Sequence, residues 1–179
     1  TATLWHDLET MKVPGIESVY IPAEACGRFW AIVSVRQKYP GHSNHVGTAV
    51  ISTTTGHYGL KGVIVVDHDI RADDWDRIWW ALSTRFDPKR SAQIIDRGRS
   101  TPLDPGLPID ARDITSRIIL DACTPFEWAN KPNEIFMDRE VLQKVSDRWN
   151  EYGFEGTSPV SNMIDRLTRP EPIKKQTKV

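Results

Sequence analysis

The 179 residues are enough to bury a core, and length alone suggests one domain. Its 23 basic and 24 acidic side chains leave a net charge of −1, which excludes a general attraction to nucleic acid or to an anionic membrane. Two cysteines without metal-ligand spacing, no membrane-length apolar run and no signal-peptide pattern in TATLWHDLET make a soluble, cytoplasmic chain with reduced thiols the expectation.

Thr1–Met11 has little apolar pattern beyond Leu4, Trp5 and Leu8, and the chain begins as though cut from something longer. After the Pro14-Gly15 turn, Ser18–Ile21 and Phe29–Val35 read as strands of a hairpin closed by Pro22–Arg28. Past Pro40-Gly41, Ser43 is expected to cap a helix from about Asn44 to Thr53 with Val46, Ala49 and Val50 inward. The glycine-spaced loop GHYGLKG then enters Val63–Val66, an unbroken β-branched run that suits a strand covered on both faces. Asp67, His68 and Asp69 stop that strand. Asp73, Asp74 and Asp76 suit the positive end of the next helix, whose Trp75, Ile78, Trp79 and Leu82 form a stripe predicted to face the sheet. Arg85 falls in its last turn and Pro88 closes it.

Gln93–Ile95 is a short strand candidate, followed by a polar, turn-rich loop, Asp96–Pro108, of a length often tied to function. Ile118–Leu120 reads as another buried strand. A helix from Asp138 is expected to turn Val141, Leu142, Val145 and Trp149 inward and to stop at Gly153. Ser158-Pro159 begins a last short helix with Met163, Ile164 and Leu167, and Arg169–Val179 reads as a flexible basic tail. The whole is an α/β pattern: a mostly parallel sheet flanked by helices, with an N-terminal hairpin and C-terminal helices. Seven tryptophans, several at periodic positions, point to core or subunit interface.

Chemistry has few candidate seats. GHYGLKG has GxxGxxG spacing and follows a helix, which argues against a dinucleotide fingerprint. Its amides with Lys61 and the preceding threonines could meet a phosphate, but a helix C-cap and strand entry with Lys61 in water is favoured. His42 and His45 lack a third metal ligand, so capping or surface roles are favoured over a metal pair. Asp67-His68-Asp69 could be an acid–base or metal cluster; helix capping and pairing with a nearby arginine are favoured. In the long loop, Arg97 and Arg99 could fork onto a carboxylate while Pro102 and Pro105 stiffen a turn presenting Leu103. A rigid connection at a subunit contact explains the same residues equally well. There is no Ser/His/Asp order, no CxxC and no Walker loop.

Read together, KGVIVVDHDI, WALSTRFDP, STPLDP and SRIILDACTPFEW resemble, in order, the C-terminal domain of the UbiD family of prenylated-flavin-dependent decarboxylases. SVRQKYPGHSNHV and MDREVLQKVSDRWNEYGF extend the likeness to about Phe154, so that 1–154 resembles the family's oligomerisation and substrate-wall domain and 155–179 a short helix and tail. The resemblance implies reversible, non-oxidative (de)carboxylation of an aromatic or α,β-unsaturated acid. It implies prenylated FMN, a divalent metal and potassium held mainly by an N-terminal domain that this sequence does not contain. No catalytic residue or metal ligand is therefore expected here, and the fragment alone is expected to be inactive. The partner is that domain, in the same polypeptide or as a separate subunit, within a homo-oligomer (a dimer or a hexamer). By the same resemblance Thr101, Leu103 and Arg99 lie toward the substrate, and Thr55 with Lys61 toward the cofactor; Thr55 stands where some members carry a basic residue, which puts Lys61 in question. The competing readings are a non-catalytic assembly subunit of a hetero-oligomeric carboxylase and an unrelated phosphate-ligand module.

Overall fold

Each residue of the central apolar run is buried in strand β3, Gly62–Asp67, of the computed structural model, which describes residues 1–168. The basic tail expected over Arg169–Val179 lies outside the described residues. Strands β1 (Ile16–Tyr20) and β2 (Trp30–Val35) pair antiparallel as the expected hairpin. Strand β4 (Ala92–Arg99) pairs antiparallel with β5 (Ile114–Ala122), while β2, β3 and β5 run parallel at the centre. The order β1-β2-β3-β5-β4 is thus a mixed sheet, parallel inside and antiparallel at both edges.

Alternation along β2 and β3 divides the core. Val33, Val35, Val63 and Val65 face one layer with Leu4 and Leu8 of helix α1 (Ala2–Thr10) and Val46 and Val50 of α2 (His42–Ser52). Ile32, Ile64 and Val66 face the other layer with Ile78 and Ala81 of helix α4 (Trp75–Thr84). Between these two helices the chain makes α3, a single turn over Gly56–Gly59. Helix α2 lies so close to the sheet that a β-carbon on Gly47 would sit 2.5 Å from Ile119. Helix α5 (Pro88–Ser91) leads into β4.

Several local expectations are corrected. Helix α2 starts at His42 behind Gly41, which is left-handed (φ 76°); Ser43 does not cap it but donates to Asp121 Oδ2 at 2.5 Å. Strand β4 continues to Arg99, bulged where Arg97 takes a φ of 61°, so the open loop begins only at Ser100. In α4 the inner face is Ile78 and Ala81, while Trp75 and Trp79 are 36% and 64% exposed. At 3.6 residues per turn Trp79 stands about 160° round the helix from Ala81, too far to share its face.

The contacts gather Thr1–Ala129 into one unit holding the sheet, and a second unit begins at Asn130. In the second, α6 (Arg139–Asp147) packs with the turn Pro159–Asn162 and the short helix α7 (Ile164–Leu167). Leu142 is buried as expected, but Val141 is exposed. Trp149 sits in a 3-10 turn and stacks on Phe154 instead of continuing the helix. Gly153 ends that turn at φ 85°. Among the described residues no helix is long and apolar enough to cross a membrane.

Candidate functional site

The loop singled out from sequence is held at both ends. Its Asp104 carboxylate is 1% exposed and accepts from Lys61 Nζ at 2.8 Å and from the Gly106 N–H at 2.9 Å. Burial alone would raise that carboxyl; the hydrogen bonds from Lys61 and Gly106 and the nearby charges of Lys61 and Arg112 hold it below the ordinary range. Arg112 ties the loop back on itself, donating to the carbonyls of Pro102 (2.7 Å) and Leu107 (3.2 Å). At the other end the buried Arg117 of β5 donates to the carbonyl of Arg99. Between the two ties Thr101 is buried, its hydroxyl accepting from the Leu103 N–H, and Leu103 stands 66% exposed at the tip.

Two of the predicted substrate-side residues, Thr101 and Leu103, therefore share one braced turn. Arg99 points elsewhere: its guanidinium lies over the Tyr58 ring, with Nη1 3.5 Å from His57 Nε2. Lys61, expected in water or at a phosphate, is instead the counter-charge of a carboxylate 43 residues away. Thr55 gives both its N–H and its hydroxyl to Asp7 Oδ2, at 2.8 and 2.7 Å. Most amides of the GHYGLKG segment are committed too, with Gly56 and His57 donating to Thr53, Leu60 to Gly56, and Lys61 and Gly62 to Phe29. Of the favoured reading the strand entry stands, while the segment makes the separate turn α3 in place of a cap on α2, and Lys61 is ion-paired, not in water. A phosphate would have to compete with Asp7 and Asp104 for these donors, so Thr55 and Lys61 as they stand do not fit a cofactor cradle.

Beside the loop lies a groove of about 780 Å³ that sequence reasoning missed. Asp104 and Pro105 border it, and Phe29, Trp30, Trp75, Trp79 and Phe86 supply aromatic lining. The signal was present in the tryptophan count, but the helical stripe had assigned Trp75 and Trp79 to the sheet. Trp30 closes the groove floor against Gly62, where any β-carbon would come within 2.3 Å of the indole.

The acidic corner at the carboxyl ends of the parallel strands is different in kind. Arg85 donates to Asp67 Oδ2 at 3.2 Å and to both oxygens of Asp69 at 3.0 and 2.6 Å, the pairing favoured from sequence. Asp67 also accepts from Gln37 Nε2 (2.7 Å) and the Thr124 N–H (2.7 Å). Asp74 caps α4 through the Arg77 N–H. Burial pushes the Asp69 carboxyl up, and the bonds and charge of Arg85 outweigh it and hold it low. Asp121 goes the other way: burial raises it, only partly offset by the Ser43 hydroxyl and the Cys123 N–H. His42 is wholly buried, accepting the Lys38 N–H at Nδ1, whereas the exposed His45 meets the Tyr39 hydroxyl at 2.6 Å; neither is a cap. Among the described residues no group of three or more His, Cys, Asp or Glu is placed to hold a metal ion.

Comparison with known proteins adds to this geometry. Residues 1–122 match the family model described as the 3-octaprenyl-4-hydroxybenzoate carboxy-lyase C-terminal domain. The chain is similar to the vanillic acid decarboxylase of Sedimentibacter hydroxybenzoicus in its closed form, with 27% identity and a TM-score of 0.64, covering 83% of this chain and 30% of that one. It shares its fold with the UbiD-class enzyme HmfF of Pelotomaculum thermopropionicum, solved in complex with FMN (24% identity, TM-score 0.67, 76% of this chain and 29% of that one). The apo 3,4-dihydroxybenzoic acid decarboxylase of Klebsiella pneumoniae shares it too (24%, 0.62, 80% and 31%). The chain thus spans less than a third of the length of these relatives.

Proposed function

Because this chain belongs to the UbiD family, as a C-terminal domain of that family, we propose that it is the C-terminal portion of a prenylated-FMN-dependent decarboxylase. The reaction is the reversible, non-oxidative loss of CO2 from an aromatic or α,β-unsaturated acid, centred on an N-terminal domain outside this sequence. In this reading the domain continues past the matched residues to about residue 154, and 155–179 form a C-terminal extension. The assembly is a cytoplasmic homo-oligomer, and the N-terminal domain holds the flavin with its divalent metal and potassium.

When bound, the flavin supplies the electron sink for the departing carboxylate. This chain supplies a wall. The braced turn carries Leu103 toward the substrate ring on a hydroxyl-stiffened base at Thr101. The aromatic groove beside it, open in this chain, would exclude water once the N-terminal domain covers it, strengthening each charge inside the closed site. The observation that carries the reading is the turn itself: a surface loop with a buried carboxylate pinned by Lys61 while its apolar tip is left bare. A loop serving only as a connection has no need of a buried ion pair.

The test is to purify the native assembly, record its visible spectrum and intact masses, and assay CO2 release from aromatic and α,β-unsaturated acids. Flavin absorption with turnover supports the reading. A flavin-bearing assembly in which Thr101 and Leu103 substitutions leave substrate preference untouched supports instead a non-catalytic assembly subunit. A flavin-free chain that binds inorganic phosphate tightly would sink both.

A further inference from the structure

Arg117 bonds to three segments that flank the loop: the end of α2, the α3 turn and the end of β4. It is 5% exposed, yet all three of its hydrogen bonds end on main-chain carbonyls and none on a carboxylate. Nη1 donates to Ile51 O at the end of α2 (3.3 Å); Nη2 donates to His57 O in α3 and to Arg99 O, the last residue of β4, at 2.5 Å. Nε is buried without a partner, and a β-carbon on Gly98 would stand 2.8 Å from it. A buried guanidinium bonded only to carbonyls is a poor device for stability, because desolvation is not balanced by an opposite charge. An apolar residue facing the core would cost less. What the planar fork supplies, and no other side chain does, is several donors in fixed directions at once.

Those directions matter because of what hangs from the three carbonyls. Ile51 and His57 bracket the turn that contains Thr55, and Arg99 immediately precedes Ser100-Thr101 and the braced loop. We infer that Arg117 is a positioning residue: one buried fork on β5 sets the Thr53–Lys61 turn and the Ser100–Asp104 loop in a fixed relation, so that the two move together or not at all. Lys61 completes the frame, rooted in the first segment and bonded to Asp104 in the second. The kinetic part of this inference rests on the decarboxylase reading; the mechanical part does not.

The experiment compares the full chain in its native assembly with Arg117→Met, Arg117→Lys and Gly98→Ala, the last keeping the arginine but crowding its Nε. Hydrogen exchange read by mass spectrometry is expected to quicken by about tenfold or more in peptides from both segments, with β3 peptides unchanged. KM for the acid substrate is expected to rise by about tenfold while kcat stays within about threefold and the flavin spectrum is unmoved. Lysine keeps the charge without the fork and should rescue neither readout. Should the Arg117 variants fail to fold, Gly98→Ala decides alone. Exchange quickened in only one segment, in neither, or fully restored by lysine overturns the inference. An assembly with no flavin and no turnover ends the decarboxylase reading, yet the exchange comparison still judges the clamp.

Discussion

The two ends of the parallel strands use the same materials for opposite purposes. At the carboxyl end, Arg85 gathers Asp67 and Asp69, and those carboxylates also accept from Gln37, Thr124 and Arg77 of α4, all within the fold. At the amino end, Lys61 and Arg117 pin a loop and leave its tip in solvent. A satisfied ion pair that ends on itself is architecture. One that holds an exposed apolar residue still is a mounting, and the difference lies in what the restrained segment carries, not in the strength of the restraint.

The largest break in this contrast is expected from Arg85→Met, which leaves the Asp67 carboxylate without its counter-charge and Asp69 with only Arg77, at 3.4 Å. Global stability should fall by about 3 kcal/mol, read as a lowered urea midpoint at unchanged slope. Lys61→Met should be milder, about 2 kcal/mol, because Asp104 keeps its Gly106 bond and Lys61 is partly solvated. Its signature should be local, with proteolysis appearing between Ser100 and Pro108 before the core unfolds. Acid sharpens the same point. The depressed Asp104 and Asp69 carboxyls contribute stability that is fully present above the ordinary carboxylate value of 3.8, and it is lost as pH falls through their lower folded values. A urea series between pH 6 and pH 2.5 should show that loss, steeper in wild type than in Asp104→Asn.

Asp121 runs against them. Its folded carboxyl is raised, so ionisation at neutral pH opposes folding and the penalty fades as pH drops through the raised value. Asp121→Asn should therefore be neutral or stabilising by up to about 1 kcal/mol at pH 7, with the gain absent in acid. The smallest effect on stability belongs to Leu103→Arg: within about 0.5 kcal/mol by thermal melt, since the side chain is two-thirds exposed. Substrate preference of the complete assembly should nonetheless shift, and unchanged kcat/KM across an acid panel would remove Leu103 from the wall.

What the sequence made legible follows from how local each signal was. The β-branched run at Val63–Val66 announced a strand buried on both faces, because it is written in neighbouring residues. The acidic corner suggested an arginine, but not that Arg85, 16 to 18 residues on, would supply it. The Lys61–Asp104 tie was not readable: its partners are 43 residues apart, and no period or motif links them. Trp75 and Trp79 misled for a different reason. A stripe at i, i+4 marks an apolar arc, but the sheet takes only the part of it centred on Ile78 and Ala81, and the wide indoles at the margin are left to line the groove. Ser43 looked like a cap because its spacing was right, and β5 claimed its hydroxyl through Asp121 instead.

Gly62 faces Trp30 across the β2–β3 register, with no room for even one methyl group between them. The pair therefore behaves as a single unit under mutation: neither position can change alone without a collision or a void. Anyone wishing to widen the groove would trim the indole and fill the vacated volume from position 62 in the same step, and natural variants should drift at these two sites together.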